Sequence, residues 1–416
     1  MDLLSFMRVV LINTGTELLL GDVQDAHLRF IARQILSLGL RIQEQRTIPD
    51  STAVRDTLAE IFSRSQILFV TGGLGPTTDD ITRELAADLL GLPLRLDEQV
   101  IAAITERLAK RGIQSTERIM RQAYVPSGAQ VLPNENGTAP GLYFRGKISP
   151  LLRSPHLFLL PGPPRELQPM FRESVMPILR SIVQNPSSLQ RRIYRIANMG
   201  ESVVERAIGE KILAIPEVEL GYCARPGEVD VRIISDPVGL ERADAIIRSA
   251  LQASIFSTGD ETLEEVIVKL LRERNETLTL AESCTGGLLA HRITNVPGAS
   301  AIFLAGYAVY ANEAKIDLLG VNPASIKQHG AVSEPIARAM AEGVRVRTNS
   351  TYALATTGIA GPGGGSLDKP VGTLFIALAL TNGETIVKKF YFPSERETFK
   401  QMAAQASFDL LRRELI

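Results

Sequence analysis

Tryptophan is absent from this chain of 416 residues, and aromatic side chains make up only 5% of it. Lys and Arg total 45 against 46 Asp and Glu, and the basic residues form no long run. A protein that follows a nucleic-acid backbone needs basic runs, and one that stacks on bases needs aromatic platforms. We therefore expect no constitutive nucleic-acid binding, and small molecules become the expected ligands.

Cysteine and histidine are also scarce, with Cys223 and Cys284 as the two cysteines beside four histidines. Two thiols cannot build a disulfide framework, and so few Cys and His side chains disfavour a zinc site. Apolar runs stay well below the roughly 18 residues that span a bilayer, and Met1 to Leu4 lack the basic start of a signal peptide. We expect a soluble cytoplasmic protein without membrane contact.

The order of apolar patterns predicts an α/β protein. Strands at 7–13, 66–71 and 156–160 alternate with helices at 23–38 and 79–90, and Gly39 follows the first helix as a C-terminal cap. This alternation predicts a doubly wound parallel sheet over residues 1–168.

The pattern changes beyond residue 168. Residues 192–257 follow the order β-α-β-β-α-β, which predicts a small split βαβ module within 169–258. An amphipathic helix from Thr262 opens a further α/β domain over 262–416. Because this domain has its own opening helix, we expect it to fold and act without the rest of the chain.

A glycine-rich turn from Gly72 to Asp80 connects the strand at 66–71 to a helix. Glycine lets backbone N–H groups approach an anion closely, and Asp79 and Asp80 are suitable ligands for a divalent cation. In the alternative interpretation, Thr78 or Asp79 simply caps the helix. We favour a phosphate-binding turn.

The loop after the first strand carries Glu17 and Asp25. Loops of this kind emerge at the carboxyl edge of a doubly wound sheet, where ligands bind. Asp25 could equally cap its helix. Both interpretations remain open from the residues alone.

Ser283 and Cys284 stand at another strand-to-helix turn, within Ala281-Glu-Ser-Cys-Thr-Gly-Gly287. Backbone N–H groups there could form an oxyanion hole, although a helix-capping serine is the simpler interpretation. Cys284 is the rival nucleophile, because a helix N-terminus also activates a thiolate.

A serine without a histidine partner needs another base, and Tyr310 and Lys315 follow the next strand. Lysine acts as a base only if its pKa falls towards neutrality. From the residues alone, a solvated Lys315 and a core-packed Tyr310 are the simpler interpretations. The glycine loop 358–365, with Lys369 nearby, suits a phosphate or ribose contact or a flexible connection.

Six sequence blocks in the same order make the whole chain resemble the CinA family (competence/damage-inducible protein A). These blocks are Gly15-Thr-Glu-Leu-Leu-Leu-Gly-Asp22, Thr71-Gly-Gly-Leu-Gly-Pro-Thr-Thr-Asp-Asp80, Leu160-Pro-Gly-Pro-Pro164, Ala281-Glu-Ser-Cys-Thr-Gly-Gly287, His329-Gly-Ala-Val-Ser-Glu334 and Thr357-Gly-Ile-Ala-Gly-Pro362. The resemblance implies an N-terminal molybdopterin-binding-like domain, a KH-like middle module and a C-terminal nicotinamide-nucleotide amidase domain. It also implies a homodimer.

For the C-terminal domain, the resemblance implies hydrolysis of nicotinamide mononucleotide (NMN) to nicotinate mononucleotide and ammonia, without a cofactor. Ser283 would be the nucleophile, with Lys315 and Tyr310 handling protons, which reverses the simpler interpretations. Substrate contacts would come from Thr285, Gly286, Gly287, Thr357, Gly358 and Gly361.

For the first domain, the resemblance implies a pyrophosphatase that cleaves ADP-ribose with a divalent metal such as Mg²⁺ or Mn²⁺. Asp79 and Asp80 would bind the metal. Substrate contacts would come from Gly72, Gly73, Gly75, Thr77, Glu17 and Asp25. Both substrates arise when NAD is consumed.

Three features depart from the family pattern. His27 stands where the family usually has Asn, and Ala311 stands where Ser is common. The KH-like module has no Gly-x-x-Gly clamp for RNA. A catalytically silent pterin-binding or recombination-associated adaptor remains the alternative function.

Overall fold

The structure is a computed structural model that describes residues 7–148, 153–183 and 189–416. The chain forms two compact units, Met1–Leu189 and Gln190–Ile416. The segment Met1 to Leu4 lies outside the described residues. None of the described helices combines the length and hydropathy needed to cross a bilayer.

The first unit is a sheet with helices packed on it. Its strands are β1 (Val9–Thr14), β2 (Ile42–Ile48), β3 (Ile67–Thr71), β4 (Leu94–Leu96), β5 (Tyr124–Pro126), β6 (Gln130–Leu132), β7 (Gly141–Phe144), β8 (Lys147–Ile148), β9 (Arg153–Ser154) and β10 (His156–Leu160). Its helices are α1 (Thr16–Leu20), α2 (His27–Ile35), α3 (Ala53–Phe62), α4 (Thr82–Leu90), α5 (Glu98–Lys110), α6 (Glu117–Met120), α7 (Pro164–Met170) and α8 (Met176–Ile182). A π-helical turn, Phe171–Val175, joins α7 to α8, and 3-10 turns follow α2 and α6.

The main sheet of this unit has the strand order β2-β1-β3-β10-β7-β6. The strands β2, β1, β3 and β10 are parallel, whereas β7 and β6 run antiparallel to their neighbours. The predicted all-parallel sheet is therefore wrong at this edge. The physical reason is that β6 and β7 follow each other without the helical crossover that a parallel pair requires.

Successive residues of β1 serve opposite faces of the sheet. Val10 and Ile12 enter one core cluster, and Val9 and Leu11 enter another. Side chains alternate across a strand, so a run that is apolar at every position is buried on both faces. Helix α2 begins four residues after the predicted start at 23, and Gly39 does end this region in the left-handed conformation, with φ 74°.

The second unit begins with the predicted β-α-β-β-α-β order. Its elements are β11 (Gln190–Ala197), α9 (Glu201–Leu213), β12 (Glu219–Arg225), β13 (Glu228–Ser235), α10 (Pro237–Leu251) and β14 (Ile255–Ser257), with sheet order β12-β13-β11-β14. All pairs in this sheet are antiparallel. The split βαβ prediction agrees with this arrangement.

The rest of the second unit is a five-stranded sheet between helices, with order β16-β15-β17-β18-β19. Its strands are β15 (Leu278–Glu282), β16 (Phe303–Ala308), β17 (Tyr352–Gly358), β18 (Thr373–Ala379) and β19 (Thr385–Tyr391). Its helices are α11 (Leu263–Arg274), α12 (Leu288–Thr294), α13 (Asn312–Leu319), α14 (Pro323–His329), α15 (Glu334–Thr348) and α16 (Arg396–Glu414). The strands β16, β15 and β17 are parallel, so the turns that follow them share one edge.

The split βαβ module shares a core with the C-terminal sheet. Its residues Ala197 and Phe256 belong to the same buried cluster as α11 and α16. Within α16, Asp409 and Arg412 form an ion pair that is almost fully buried. Asn198 donates to Asp409 at 2.9 Å, and Arg412 donates to the carbonyl of Ala253. These contacts group the module with residues 262–416, while α7 and α8, which extend beyond the expected boundary at 168, pack into the first unit.

Candidate active sites

A cavity of about 510 Å³ lies at the carboxyl edge of the first sheet. It is bounded by the turns after β1, β3 and β10. Its lining includes seven of the predicted site residues: Glu17, Asp25, Gly72, Gly73, Gly75, Asp79 and Asp80. The sequence therefore predicted correctly which loops meet.

The turn after β3 needs its glycines for two different reasons. Gly72 has φ 97°, and a Cβ there would lie 2.5 Å from the Thr14 hydroxyl oxygen. A Cβ on Gly75 would lie 2.5 Å from an Asp80 carboxylate oxygen. The first glycine thus permits a left-handed backbone, and the second lets a carboxylate pack on the turn.

Thr77 and Asp80 fix this turn together. Asp80 accepts from the Thr77 backbone N–H at 2.8 Å and from the Thr77 hydroxyl at 2.5 Å. Asp79 is exposed, and hydrogen bonds from the Thr77 hydroxyl and its own backbone lower its pKa. The helix-capping interpretation is wrong, because α4 begins at Thr82 and its cap residue, Ile81, provides no side-chain hydrogen bond.

Asp25 is held rigidly beside the cavity. One carboxylate oxygen accepts from Asn13 Nδ2 at 2.9 Å and from Gln45 Nε2 at 2.5 Å. The other accepts from the His27 backbone N–H at 2.8 Å, so Asp25 also covers the first turn of α2. Both the binding and the capping interpretations are compatible with this geometry.

His27 lies in the polar network behind Asp25 and is buried. Its Nε2 lies 2.7 Å from the Gly162 carbonyl, which can only accept, so Nε2 carries a proton. Its Nδ1 lies 3.0 Å from the Thr71 hydroxyl, which donates to Asn13 Oδ1 at 2.8 Å. Burial lowers the pKa of His27, against the raising effects of the Gly162 carbonyl and Asp25.

Among the described residues that line this cavity, the Asp, Glu, Lys and Arg side chains are all carboxylates. Six carboxylates line it and no Lys or Arg does; they are Glu17, Asp25, Asp50, Asp79, Asp80 and Glu166. Among the described residues, in this cavity and elsewhere, no group of three or more His, Cys, Asp or Glu side chains is arranged to hold a metal ion without further ligands. The donor set fits a hard cation that takes one or two carboxylates and completes its shell with phosphate oxygens and water.

Glu166 is a lining residue that the sequence interpretation missed. It is buried, and one carboxylate oxygen accepts from Asn134 Nδ2 at 2.8 Å. A Cβ on Gly137 would come within 1.8 Å of that oxygen, so this glycine makes room for the carboxylate. The available signal was its place two residues after the Pro163-Pro164 pair in a loop at the carboxyl edge.

In the second unit, the Ser283 turn follows β15, the strand that lies between β16 and β17. Ser283 donates its backbone N–H to the Thr356 carbonyl at 2.9 Å. Gly286 and Gly287, with φ 63° and 95°, carry the chain into α12 in the left-handed conformation. The helix-capping interpretation of Ser283 is wrong, because α12 begins at Leu288 with Gly287 as its cap.

Glu282 takes over the capping of α12. Its carboxylate accepts from the backbone N–H groups of Gly287, Leu289 and Ala290 at 2.9 to 3.1 Å. A carboxylate is well placed at a helix N-terminus, where unpaired N–H groups and the helix dipole favour negative charge. Because Glu282 satisfies these groups, α12 needs no cap from the Ser283 side chain.

Lys315 is buried, with a side chain that is 1% exposed, and the solvated interpretation is therefore wrong. Its Nζ donates to the carbonyls of Val309, Tyr310 and Ala311 at 2.9, 3.1 and 3.5 Å. Val309 in turn donates its N–H to the Glu282 carbonyl at 2.8 Å, next to Ser283. Burial lowers the pKa of Lys315, while Cys284 and Glu313 raise it.

Tyr310 is 62% exposed, so it does not pack in the core. Its hydroxyl accepts from Arg396 Nη2 at 2.5 Å. Cys284 is buried, and burial raises the pKa of its thiol to about 12. A thiol with such a pKa carries almost no thiolate at neutral pH, which disfavours Cys284 as the nucleophile.

The remaining predicted contact residues of the second unit surround the same edge. Thr285 and Thr356 share a hydrogen bond at 2.8 Å between fully buried hydroxyls. Thr357 donates to the Ala331 carbonyl at 2.9 Å. Gly358 ends β17, and Gly361 lies within the glycine loop with φ 77°.

Comparisons with known proteins agree with the two units. Residues 260–415 match the family described as "CinA C-terminal domain", and residues 10–181 match the one described as "Probable molybdopterin binding domain". A CinA-like protein of Akkermansia muciniphila is 41% identical over 399 residues, covering 96% of this chain and 95% of that protein. A CinA-like protein of Koribacter versatilis is 38% identical over 418 residues, covering 99% of this chain and all of that protein.

A solved competence/damage inducible protein from Agrobacterium tumefaciens is 36% identical to part of the chain. It covers 36% of this chain and 92% of its own, with a TM-score of 0.36.

Proposed function

Because the chain belongs to the CinA family, we propose that its second unit hydrolyses the amide of NMN, with Ser283 as the nucleophile and Lys315 as the base. The observation that carries the proposal is the buried ammonium of Lys315, which donates to the Val309 carbonyl. Val309 in turn bonds Glu282, the residue before Ser283, and Ser283 has no capping role. Family membership alone names no substrate, so the assignment of NMN depends on the match of Ser283, Lys315 and the glycine loop to the amidase pattern.

Lys315 must lose a proton before it can act. Its three carbonyl partners match the three N–H groups of an ammonium, and burial opposes that charge. A neutral amine has only two N–H groups, so deprotonation removes one of these hydrogen bonds. The bond to the Ala311 carbonyl is the longest, at 3.5 Å, and its loss would cost the least free energy. The neutral amine can then accept the Ser283 hydroxyl proton.

The reaction follows two steps. Ser283 Oγ attacks the amide carbon, Lys315 takes the hydroxyl proton, and that proton leaves with ammonia as the C–N bond breaks. Water then hydrolyses the acyl-serine to give nicotinate mononucleotide. The backbone N–H groups of Cys284 and Thr285 would serve the oxyanion, since those of Gly286 and Gly287 donate to the Ser283 carbonyl and to Glu282. A proton-handling role for the Tyr310 hydroxyl stays a prediction, since its contact is with Arg396.

Ammonia release from NMN by the full-length protein tests this proposal. Ser283→Ala should reduce the rate by at least about a thousandfold while the far-UV circular dichroism stays unchanged. Cys284→Ala is the matched control and should retain activity. A dead Cys284→Ala with an active Ser283→Ala would reverse the assignment.

We propose a second activity for the first unit, the cleavage of the pyrophosphate bond of ADP-ribose. The cavity lined by six carboxylates favours this metal-dependent activity, because a pyrophosphate can bind there only together with a cation. A divalent metal held by Asp79 and Asp80 would neutralise the phosphates and polarise the bond that breaks. The glycine turn would place backbone N–H groups at the phosphates, and Asp25 and Glu17 would border the substrate. A wild-type protein that acts on neither substrate would favour the adaptor function instead.

A further inference from the structure

Gln405 of α16 joins two charged side chains that come from different parts of the second unit. Its Oε1 accepts from Arg292 Nη2 at 2.8 Å, and its Nε2 donates to Glu228 Oε2 at 2.9 Å. Gln405 is 2% exposed, so this buried amide has both of its polar atoms paired. Its acceptor faces a cation and its donor faces an anion, which is the favourable orientation of an amide between opposite charges.

Glu228 brings the split βαβ module to this amide. It begins β13, directly after the turn that joins β12 to β13. Gly227 in that turn has φ 77°, and a Cβ there would lie 2.8 Å from Gln405 Cβ. The glycine therefore lets the turn approach α16 closely. The other carboxylate oxygen of Glu228 accepts from Arg225 Nε at 2.5 Å, which fixes the carboxylate in place.

Arg292 brings α12 to the same amide. It lies in the last turn of this helix, which follows the Ser283 turn. Arg292 also donates to Glu264 Oε2 of α11 at 2.7 Å, and its Cζ lies 5.0 Å from the centre of the Phe408 ring. Helix α12 has seven residues, too few to be stable in isolation, so its position depends on contacts of this kind.

The turn between β15 and α12 depends on the two elements that it joins. Gly286 and Gly287 are left-handed, and among the described residues a Cβ on either would meet nothing beyond its chain neighbours within 4 Å. Because open space surrounds these two glycines, the flanking elements determine the path of the turn. Strand β15 is fixed between two other strands, so a displacement of α12 would displace the backbone N–H groups proposed for the oxyanion.

We propose that Gln405 transmits the position of the split βαβ module to α12 and thereby holds the Ser283 turn in its reactive geometry. Gln405 is a positioning residue, since it acts through Arg292 and Glu228. This inference rests on the proposed amidase function. It gives the split βαβ module, which has no Gly-x-x-Gly clamp for RNA, a role in the amidase reaction.

A charge exchange between Gln405 and Glu228 tests the proposal in the full-length protein. Gln405→Glu places two carboxylates against each other, and kcat for NMN should fall about 10- to 100-fold, because small displacements of reacting groups cost this much. KM should stay within about threefold. Adding Glu228→Gln restores a donor opposite the introduced carboxylate, and the amide oxygen can still accept from Arg225.

The double variant should therefore recover kcat to within about threefold of the wild type. Rates are compared well below the melting temperature of each variant, so that unfolded protein does not contribute. A wild-type kcat in Gln405→Glu, or a double variant as slow as that single variant, would overturn the proposal. Gln401→Glu is the matched control and should leave kcat unchanged, because it makes the same change one turn earlier on α16, where Gln401 donates to Glu397 at 3.2 Å.

Hydrogen–deuterium exchange follows the turn without turnover. The amides from Gly286 to Ala290 are all hydrogen-bonded, and in Gln405→Glu they should exchange at least about tenfold faster, while those of β18 stay unchanged. Unchanged rates, or equal acceleration in both segments, would overturn the proposal. This measurement decides the point even if the wild type releases no ammonia from NMN, a result that would refute the amidase function alone.

Discussion

The two candidate sites arrange their charges in opposite ways. In the first unit, six carboxylates surround one cavity and no cationic side chain of the described residues lines it. In the second, the buried Glu282 and Lys315 each make three hydrogen bonds to the backbone. In the first site, Arg165 lies 3.9 Å from Glu166 but does not line the cavity, whereas the second site stabilises its charges with its own peptide groups.

Because their charges are arranged differently, the two sites should respond to different solution conditions. A cavity lined by six carboxylates, and by no cationic side chain of the described residues, repels a pyrophosphate until a cation enters. A lysine enclosed by carbonyls needs no added ion, but its protonation depends on pH. Conditions that affect one site should therefore leave the other unchanged.

Removal of divalent cations should produce the largest effect. In excess chelator we expect ADP-ribose cleavage to fall to background and NMN deamidation to stay within about twofold. Product formation from each substrate in the same preparation checks this. Full ADP-ribose cleavage under chelation would contradict the metal assignment.

The metal ligands can be tested without turnover. Asp79→Asn and Asp80→Asn should weaken Mn²⁺ binding measured by calorimetry, because each removes one of two carboxylate ligands. Glu106→Gln, which alters an exposed carboxylate paired with Lys110 outside the cavity, should not.

Changing the buried lysine should affect only the second site. Lys315→Arg should lower deamidation by about 10²- to 10⁴-fold, because a guanidinium cannot act as a base. In the wild type, burial lowers the pKa of Lys315, so the neutral amine accumulates as pH rises and does so at a lower pH than for an ordinary lysine. Rates measured across pH check the direction. Near-normal turnover of Lys315→Arg would exclude Lys315 as the base.

The capping carboxylate should matter for stability. Glu282→Gln places an amide NH₂ against backbone N–H groups that are buried with it, and we expect a loss of about 3 kcal/mol in the free energy of unfolding. Chemical denaturation followed by circular dichroism measures it. Glu313→Gln, at an exposed position of α13, should change stability by less than about 0.5 kcal/mol. Equal stability of the two variants would show that Glu282 is dispensable as a cap.

The smallest expected effect concerns the contact between the split βαβ module and α16. Asn198 has φ 55° and donates to the buried Asp409. Asn198→Gly keeps the left-handed backbone and loses the hydrogen bond, which should cost about 1.5 kcal/mol. Asn198→Ala should cost about 1 kcal/mol more, because alanine resists this conformation. Calorimetry measures the melting temperature and enthalpy of each variant. Values equal to those of the wild type for both variants would contradict the prediction.

The same contact affects the expectation that residues 262–416 fold without the rest of the chain. A fragment that begins at 262 lacks Asn198, Ala253, Ala197 and Phe256, which cover the Asp409–Arg412 pair and part of the C-terminal core. A fragment from 190 retains them. We therefore expect the longer fragment to be the more stable of the two.

Local patterns were sufficient to place the strand-to-helix turns. The uniformly apolar run of β1 and the glycines at 72, 73 and 75 indicate a buried strand and a turn close to a ligand, because these requirements act within a few residues. The apolar patterns predicted no strand at the positions of β6 and β7, and the all-parallel prediction therefore missed this antiparallel edge. The residue pattern that predicts a strand does not specify whether it runs parallel or antiparallel to its neighbour, because that depends on the connection between the strands.

The roles of single polar side chains were harder to predict. Ser283, Thr78 and Asp79 are residue types that often cap helices, yet none of them caps the helix that follows it. Both helices begin later in the chain, and Glu282 caps one of them. His27 likewise gives no signal in sequence of the network that joins it to Thr71 and Gly162.

The sequence by itself determined the family, the α/β class and the loops that carry the candidate sites, since these depend on apolar periodicity and on glycine and proline at fixed positions. Only the tertiary structure decided which charges are buried and what compensates them. Lys315 is enclosed by carbonyls, and Arg396 meets Tyr310 and Gly361 from a distant helix. The reason is physical: burial and hydrogen bonding arise from chain segments far apart in sequence, and they set the pKa and the reach of a side chain that the local pattern cannot specify.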